Sequence, residues 1–302
     1  MSVAVIINPI SGSGARRDTA RRRAELAVAE LERRGLEGEV FVTERAGHAR
    51  ELTRASLERG VRLVLAWGGD GTVNEVASVV AFTGAAIGII PSGSGNGLSR
   101  ELKIPFEPAA AFEIALTAGK DRVIDAGELD GHLFFNIAGI GLDAQVAHRF
   151  AAGGLVRRGF WRYLEITAQE LFTYDPDEHT VVVDDAPERV RALLIAIANG
   201  RQYGNDAIIA PHARLDDGRL DVVVVPQRSI AATLVQIPRV FAGTVDRVPG
   251  VSIRCGEAIE ITSARPVLYH VDGEPFVGGA SVRAAVKCAA LRVRVPESSA
   301  SP

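Results

Sequence analysis

The chain of 302 residues is long for one domain and comfortable for two. Its 47% apolar content supports a sizeable core, and a net charge of −3 carries no global signature of nucleic-acid binding. Two distant cysteines, Cys255 and Cys288, exclude a disulfide framework or a four-cysteine zinc site and fit a reducing, cytoplasmic setting. The opening MSVAVIINPISGSG lacks the basic start, long apolar run and cleavage site of a signal peptide. Val76 to Ser99 holds no charged residue, but Thr83-Gly84 and Pro91 to Gly97 break it into pieces too short to span a bilayer.

In chain order, Val3 to Asn8 reads as a strand and Ala15 to Arg34 as an arginine-rich helix. Strand Glu39 to Thr43, helix Ala46 to Arg59 and strand Val61 to Trp67 follow. A glycine turn then leads into a third helix, and Ala86 to Ile90 forms a fourth strand before another glycine loop and helix. Near-continuous apolar strands between amphipathic helices predict a parallel sheet covered on both faces. From about Asp125 the rhythm changes to short β-rich runs such as LFFNIAGIG, TVVVDD and RLDVVVV. Asp130-Gly131, Asp217-Gly218 and Asp272-Gly273 are turn candidates, and helical inserts are expected around Leu155 to Phe172 and Ile230 to Phe241. The expected organisation is an α/β domain over residues 1–124, a β-sandwich-like domain over 125–295 and a frayed tail over 296–302.

Three glycine loops follow strands of the first domain: NPISGSG, GGDGT and PSGSGNG. Glycine lets backbone amides approach an anion closely, and a helix N-terminus behind each loop adds favourable partial charge. Thr72 and Glu75 have capping-box spacing, which would start the third helix directly after its turn. No GxxxxGK[ST] occurs and none of the three lysines stands in a VAIK-like strand, so Walker ATPases and protein kinases are excluded. Phosphate would rest on amides, on the hydroxyls of Ser11, Ser13, Thr72 and Ser94, and on Arg16 or Arg17. Asp70 would repel that phosphate unless a cation lies between them. It is either a partner of Mg²⁺ or a turn aspartate bonded to its own backbone.

GGDGTVNEV, IIPSGSGNGLSREL, NIAGIGLDAQV, LDDGRLDVVVV and VDGEPF, in this order, resemble the diacylglycerol kinase catalytic-domain family of lipid kinases. That family includes bacterial diacylglycerol kinase-like enzymes and sphingosine kinases. GGDGT alone is shared with NAD kinases and phosphofructokinases; the combination is specific. The resemblance implies an NAD kinase/diacylglycerol kinase-like fold that uses ATP and Mg²⁺ to phosphorylate a lipid hydroxyl. The protein would then be cytoplasmic and peripherally membrane-associated, with diacylglycerol or a sphingoid base as acceptor and a homodimer left open.

By motif, the resemblance places nucleotide contacts on Asn8, Pro9, Ile10, Ser11 and Gly12, on Thr43, and on Ser94. Further contacts would fall on Trp67, Gly68, Gly69, Asp70, Gly71, Thr72 and Val73. It makes Glu274 the proton acceptor, with Asp272 and Asp70 completing the catalytic set, and puts Asp143 at the lipid head group. Asp217, with the carbonyls of Arg214 and Arg219, would hold a structural Mg²⁺. The third loop reads GSGNG where many bacterial members have GTxND, and Ser94 keeps the hydroxyl of the usual threonine. His270, beside the DGE motif, reads as a structural strand-end histidine. Arginines and aromatics between Gly153 and Phe172 are compatible with a membrane-facing helix or an ordinary solvated one. The alternatives in function are an NAD kinase-like enzyme and a non-catalytic nucleotide-binding regulator.

Overall fold

The computed structural model describes residues 2–12, 17–152 and 160–297, and leaves the side chains of residues 17 and 160–164 undescribed. The chain divides into two compact units, Met1–Ile124 with Ala289–Pro302, and Asp125–Cys288. Residues from Ala289 onward thus belong to the first unit, whereas the sequence reading ran the second domain to residue 295.

The first unit alternates β1 (Val3–Ile7), α1 (Arg17–Glu32), β2 (Gly38–Val42), α2 (His48–Glu58), β3 (Leu63–Gly68), α3 (Asp70–Val80) and β4 (Ala86–Pro91). Short helices α4 (Gly97–Glu101) and α5 (Pro108–Glu113) follow, the latter running into a π-helical turn over Ile114–Ala118. All strand pairings are parallel: β1 lies between β2 and β3, and β4 flanks β3. Arg292 and Val293, near the end of the chain, pair in parallel with Ala86 and Ile87 of β4. Every residue of β1, β3 and β4 is buried, which is why these strands read as unbroken apolar runs instead of alternating ones.

The chain enters the second unit along β5 (Lys120–Leu129), followed by β6 (His132–Phe134), β7 (Ile137–Gly141), α6 (Leu142–Ala152) and α7 (Phe160–Thr173). Next come β8 (Glu178–Val183), β9 (Ala186–Ala198), the small β10 (Gln202–Gly204) and β11 (Ala207–Ile208), and β12 (Leu220–Pro226). Helix α8 (Ile230–Phe241) precedes β13 (Ser252–Gly256), β14 (Ala258–Ser263), β15 (Leu268–Val271), β16 (Glu274–Val277) and β17 (Ser281–Val295). Strand β9 serves two sheets. Its first half pairs with β8, which continues to β14 and β17; its second half pairs with β7 and β12.

Period-two alternation sorts β9 and β12 between two cores. Ile195, Ile197, Val222 and Val224 join the core with Val181, Ile259 and Ile261, while Ala196, Ala198 and Val223 pack with Ile137, Ile209 and Val245. Both faces are covered, so ALLIAIA and VVVV carry no polar face. The parallel α/β unit and the β-sandwich-like unit are therefore as the sequence predicts.

Two of the three expected Asp-Gly turns are tight hairpins with positive φ at both residues, Asp130-Gly131 and Asp272-Gly273. The third, Asp217-Gly218, is a loop before β12 fastened from elsewhere: Gly218 N donates to Asp125 Oδ2 at 2.7 Å. The Leu155 to Phe172 insert lies partly outside the described residues, and so do the side chains of Trp161 and its basic neighbours. No helix among the described residues is long and apolar enough to cross a membrane.

Candidate functional site

In the first unit the three glycine loops leave the carboxyl ends of β1, β3 and β4, the edge where open parallel sheets bind ligands. Backbone bonds extend the ladder into the loops: Asn8 N donates to Trp67 O at 2.9 Å and Ser92 N to Gly68 O at 2.8 Å. Asn8 then ties the first loop to the second, because its Nδ2 donates to Thr72 Oγ1 at 2.9 Å. Ser11 Oγ lies 2.7 Å from Ser92 Oγ, joining the first loop to the third. Arg23 of α1 donates to Asn8 O at 2.7 Å and Ser11 O at 3.0 Å, and its guanidinium lies 5.6 Å from the Trp67 ring centroid. Burial holds Arg23 below the usual arginine range. The second and third loops touch through glycine backbones: a Cβ on Gly93 would stand 2.5 Å from Gly69 Cα, so a side chain there is barred.

Asp70 reaches across to the third loop. Its Oδ2 accepts from Asn96 N at 2.8 Å and its Oδ1 from Gly97 N at 2.7 Å, so the carboxylate caps α4 across the sequence. The helix start behind the third loop is thus already matched with an anion, namely Asp70 itself.

The capping box is not formed. Helix α3 begins at Asp70 with Gly69 as an unassisted N-cap, and Glu75 turns away to accept from Gly47 N at 2.9 Å and Arg50 N at 3.3 Å. Glu75 therefore caps α2, and Thr72 serves Asn8. Of the sequence-predicted nucleotide residues, Pro9, Ile10, Ser11, Gly12 and exposed Ser94 lie on the loops, and Gly71 is in the first turn of α3. Trp67 and Val73 are buried beneath them, Trp67 packed edge-to-face on Phe112, and Thr43 is buried with its N bonded to Ile7 O. Ser13, Gly14 and Arg16 lie outside the described residues.

In the second unit Asp272 heads the β15–β16 turn and grips the segment entering β7. Its Oδ2 accepts from Phe135 N at 2.9 Å, and its Oδ1 from Asn136 N and Ile137 N, both at 3.1 Å. With three amides on four acceptor sites, this carboxylate is a clamp. Glu274, the first residue of β16, is exposed.

Behind the turn Asp143 and His270, which the sequence names separately, form a polar trio with Tyr203, which it does not single out. His270 Nε2 is 3.0 Å from Asp143 Oδ2, Tyr203 donates its hydroxyl to the same oxygen, and Gly273 N donates to His270 Nδ1 at 3.3 Å. Since Nδ1 accepts, Nε2 carries the proton and donates to Asp143. Both Asp143 and His270 are buried. Gly139 of β7, paired with His270, makes the room: a Cβ there would fall 1.8 Å from Asp143 Oδ2. The glycine spacing in NIAGIGLD was the available signal.

Asp217 Oδ1 accepts from Arg219 N at 3.1 Å. Burial first, and the Asp217 charge second, push the nearby Asp221 carboxyl up to about 6. Among the described residues no group of three or more His, Cys, Asp or Glu is arranged to hold a metal ion, at Asp217 or elsewhere. A cavity of about 550 Å³ opens beside α6 and α7, lined by Arg149, Glu170, Tyr174, His179 and Arg265 among others. Burial pushes the Tyr174 hydroxyl up to about 12 and the His179 imidazole below its usual value.

A parallel α/β unit with amide-rich loops, joined to a β-sandwich-like unit with a clamped DGE turn, defines a kinase-like protein of the NAD kinase and diacylglycerol kinase fold. Residues 2–129 match the family described as "Diacylglycerol kinase catalytic domain", and residues 136–295 the "YegS C-terminal NAD kinase beta sandwich-like domain". The chain belongs to this YegS-like diacylglycerol kinase family. It is 33% identical over 285 residues to a protein of Pseudomonas aeruginosa named "Probable lipid kinase YegS-like", covering 90% of this chain and 89% of that one. A protein of the same name from Xanthomonas campestris is 31% identical over 282 residues, covering 89% of each. Among solved structures, a diacylglycerol kinase from Bacillus anthracis has a TM-score of 0.72 at 19% identity, covering 99% of this chain and 98% of that one. An NAD kinase from Archaeoglobus fulgidus in complex with ATP has a TM-score of 0.55 at 13% identity, over 99% and 95%. At these identities the structural likeness shows the fold.

Proposed function

We propose that the protein is a lipid kinase that passes the γ-phosphoryl group of ATP to a hydroxyl of a lipid such as diacylglycerol or a sphingoid base. The observation that supports this most is the set of three mutually bonded glycine loops on a parallel-sheet edge, in a chain of the diacylglycerol kinase catalytic-domain family. Phosphoryl transfer asks the protein chiefly for positioning and charge stabilisation. The loop amides and hydroxyls of the first unit would hold the triphosphate. Mg²⁺ arriving with the nucleotide would neutralise phosphate charge, with Asp70 as its protein partner, directly or through water.

Glu274 is the proton acceptor in this reading, since the carboxylate of Asp272 is taken up by the three amides of 135–137. Asp272 and the His270–Gly273 bond fix the turn from which Glu274 projects. Asp143 fits the lipid-head role as a buried acid whose second partner, Tyr203, comes from β10. The enzyme would act peripherally on membranes. A panel of lipids and free NAD, offered with labelled ATP, tests the proposal. Transfer to a lipid that vanishes in Glu274→Gln is the expected result. Phosphorylated NAD would instead mark an NAD kinase, and tight ATP binding without transfer a regulator.

A further inference from the structure

Helix α8 presents an apolar stripe to solvent. Leu234, Ile237, Pro238 and Phe241 follow the i, i+3, i+4, i+7 pattern of one helix face, yet no residue of α8 is buried. Val235 flanks the stripe with 71% of its surface exposed, and Phe241 exposes 52%. Of the ten exposed large apolar residues among those described, Leu234, Val235, Ile237 and Phe241 make up four, which is a patch and not scatter.

Three further observations say what covers it. Residues 222–245 contain no aspartate or glutamate, while Arg228 and Arg239 are exposed at the two ends of the helix. The opposite side of α8 rests through Val240 on the apolar cluster of Ile137, Ala196 and Val223. Tyr203 packs on that same cluster and donates its hydroxyl to Asp143, so α8 and the lipid-head residue share one face of the sheet.

We infer that the outer face of α8 seats the protein on a bilayer containing anionic phospholipid, its apolar stripe entering the acyl boundary and Arg228 and Arg239 meeting the head groups. This rests on the lipid-kinase reading for its purpose, but its test does not. The full chain, without nucleotide, is sedimented with phosphatidylcholine vesicles with and without phosphatidylglycerol. The wild type is expected to bind the anionic vesicles, more strongly at low salt. The double variant Val235→Gln/Phe241→Gln should bind about tenfold more weakly or worse. Arg239→Glu should weaken binding only where phosphatidylglycerol is present. All variants should keep the wild-type melting temperature and full activity on a detergent-dispersed short-chain lipid. Vesicle binding that is absent in the wild type, or unchanged in the double variant, overturns the inference. So does a wild-type dimer that the double variant turns monomeric while vesicle binding persists, since a second copy then covers the stripe. Because no transfer is measured in the sedimentation, its failure is distinct from a failure of the Glu274→Gln assay.

Discussion

Asp70 and Asp272 occupy comparable places in the two units. Each stands beside a glycine in a tight connection, and each gives its carboxylate to backbone amides of a remote segment. The partners differ. Asp70 meets two amides at the start of a short helix, in the loop region where the proposed nucleotide would lie. Asp272 meets three amides of an extended segment, and the acid two residues on, Glu274, is exposed. If the proposed function holds, one carboxylate both braces a loop and faces a cation in the first unit, while in the second bracing and proton transfer fall to separate residues.

The comparison breaks most sharply at Glu274. Glu274→Gln should lower phosphoryl transfer roughly 10²–10⁴-fold while leaving the urea midpoint unchanged, because an exposed strand-end side chain contributes little to stability. A matching loss of stability would mean that Glu274, too, is a brace. Asp272→Ala should show the opposite balance, since stranding three amides costs about 2–5 kcal/mol, read from urea unfolding. If Asp272→Ala unfolds like the wild type and loses only turnover, the division between the two acids is wrong.

Asp70→Asn should cost less, about 1–3 kcal/mol, because the amide oxygen still accepts one bond. It should also weaken ATP binding in the presence of Mg²⁺ but leave the magnesium-free affinity nearly unaltered, measured by titration calorimetry. Equal weakening with and without Mg²⁺ would assign Asp70 to bracing alone. The smallest effect concerns His179 in the second unit. Burial lowers its pKa from 6.5, so the unfolded chain takes up the proton first as the pH falls. The stability it lends above 6.5 is therefore lost as pH drops from there towards the lower folded value. His179→Gln should narrow the gap between urea midpoints at about pH 7.5 and about pH 5.5.

Elements and their order were legible because they are written locally. Unbroken apolar runs betray doubly covered strands, and Asp-Gly pairs betray hairpins at 130 and 272. Helix α8 runs Ile230–Phe241, the span its sequence predicts, started by Ser229 accepting from Ala232 N. What stayed hidden are bonds whose partners lie far apart in the chain. Glu75 matches a capping box in its own helix, yet it reaches 28 residues back to Gly47. Asp272 and Phe135 are 137 residues apart, and nothing near either announces the other. His270 reads as a structural strand-end residue, and its neighbours in the chain do not announce the partners it meets, Asp143 of α6 and Tyr203 of β10. Apolar patterning reports burial; it does not report which carboxylate meets which amide.

The last strand has a consequence for how the molecule is made. Phe82 N donates to Ala290 O at 2.8 Å, and Arg292 and Val293 complete the β4 edge, so the first unit is finished by residues that follow the whole second unit in the chain. On the ribosome, the N-terminal unit must wait, with β4 uncovered, until the second unit has been translated. A chain cut after residue 124 would carry every glycine loop and still lack a strand. The order of translation and the order of completion are therefore reversed, and a chain truncated just before Ala289 would lose part of the unit encoded first.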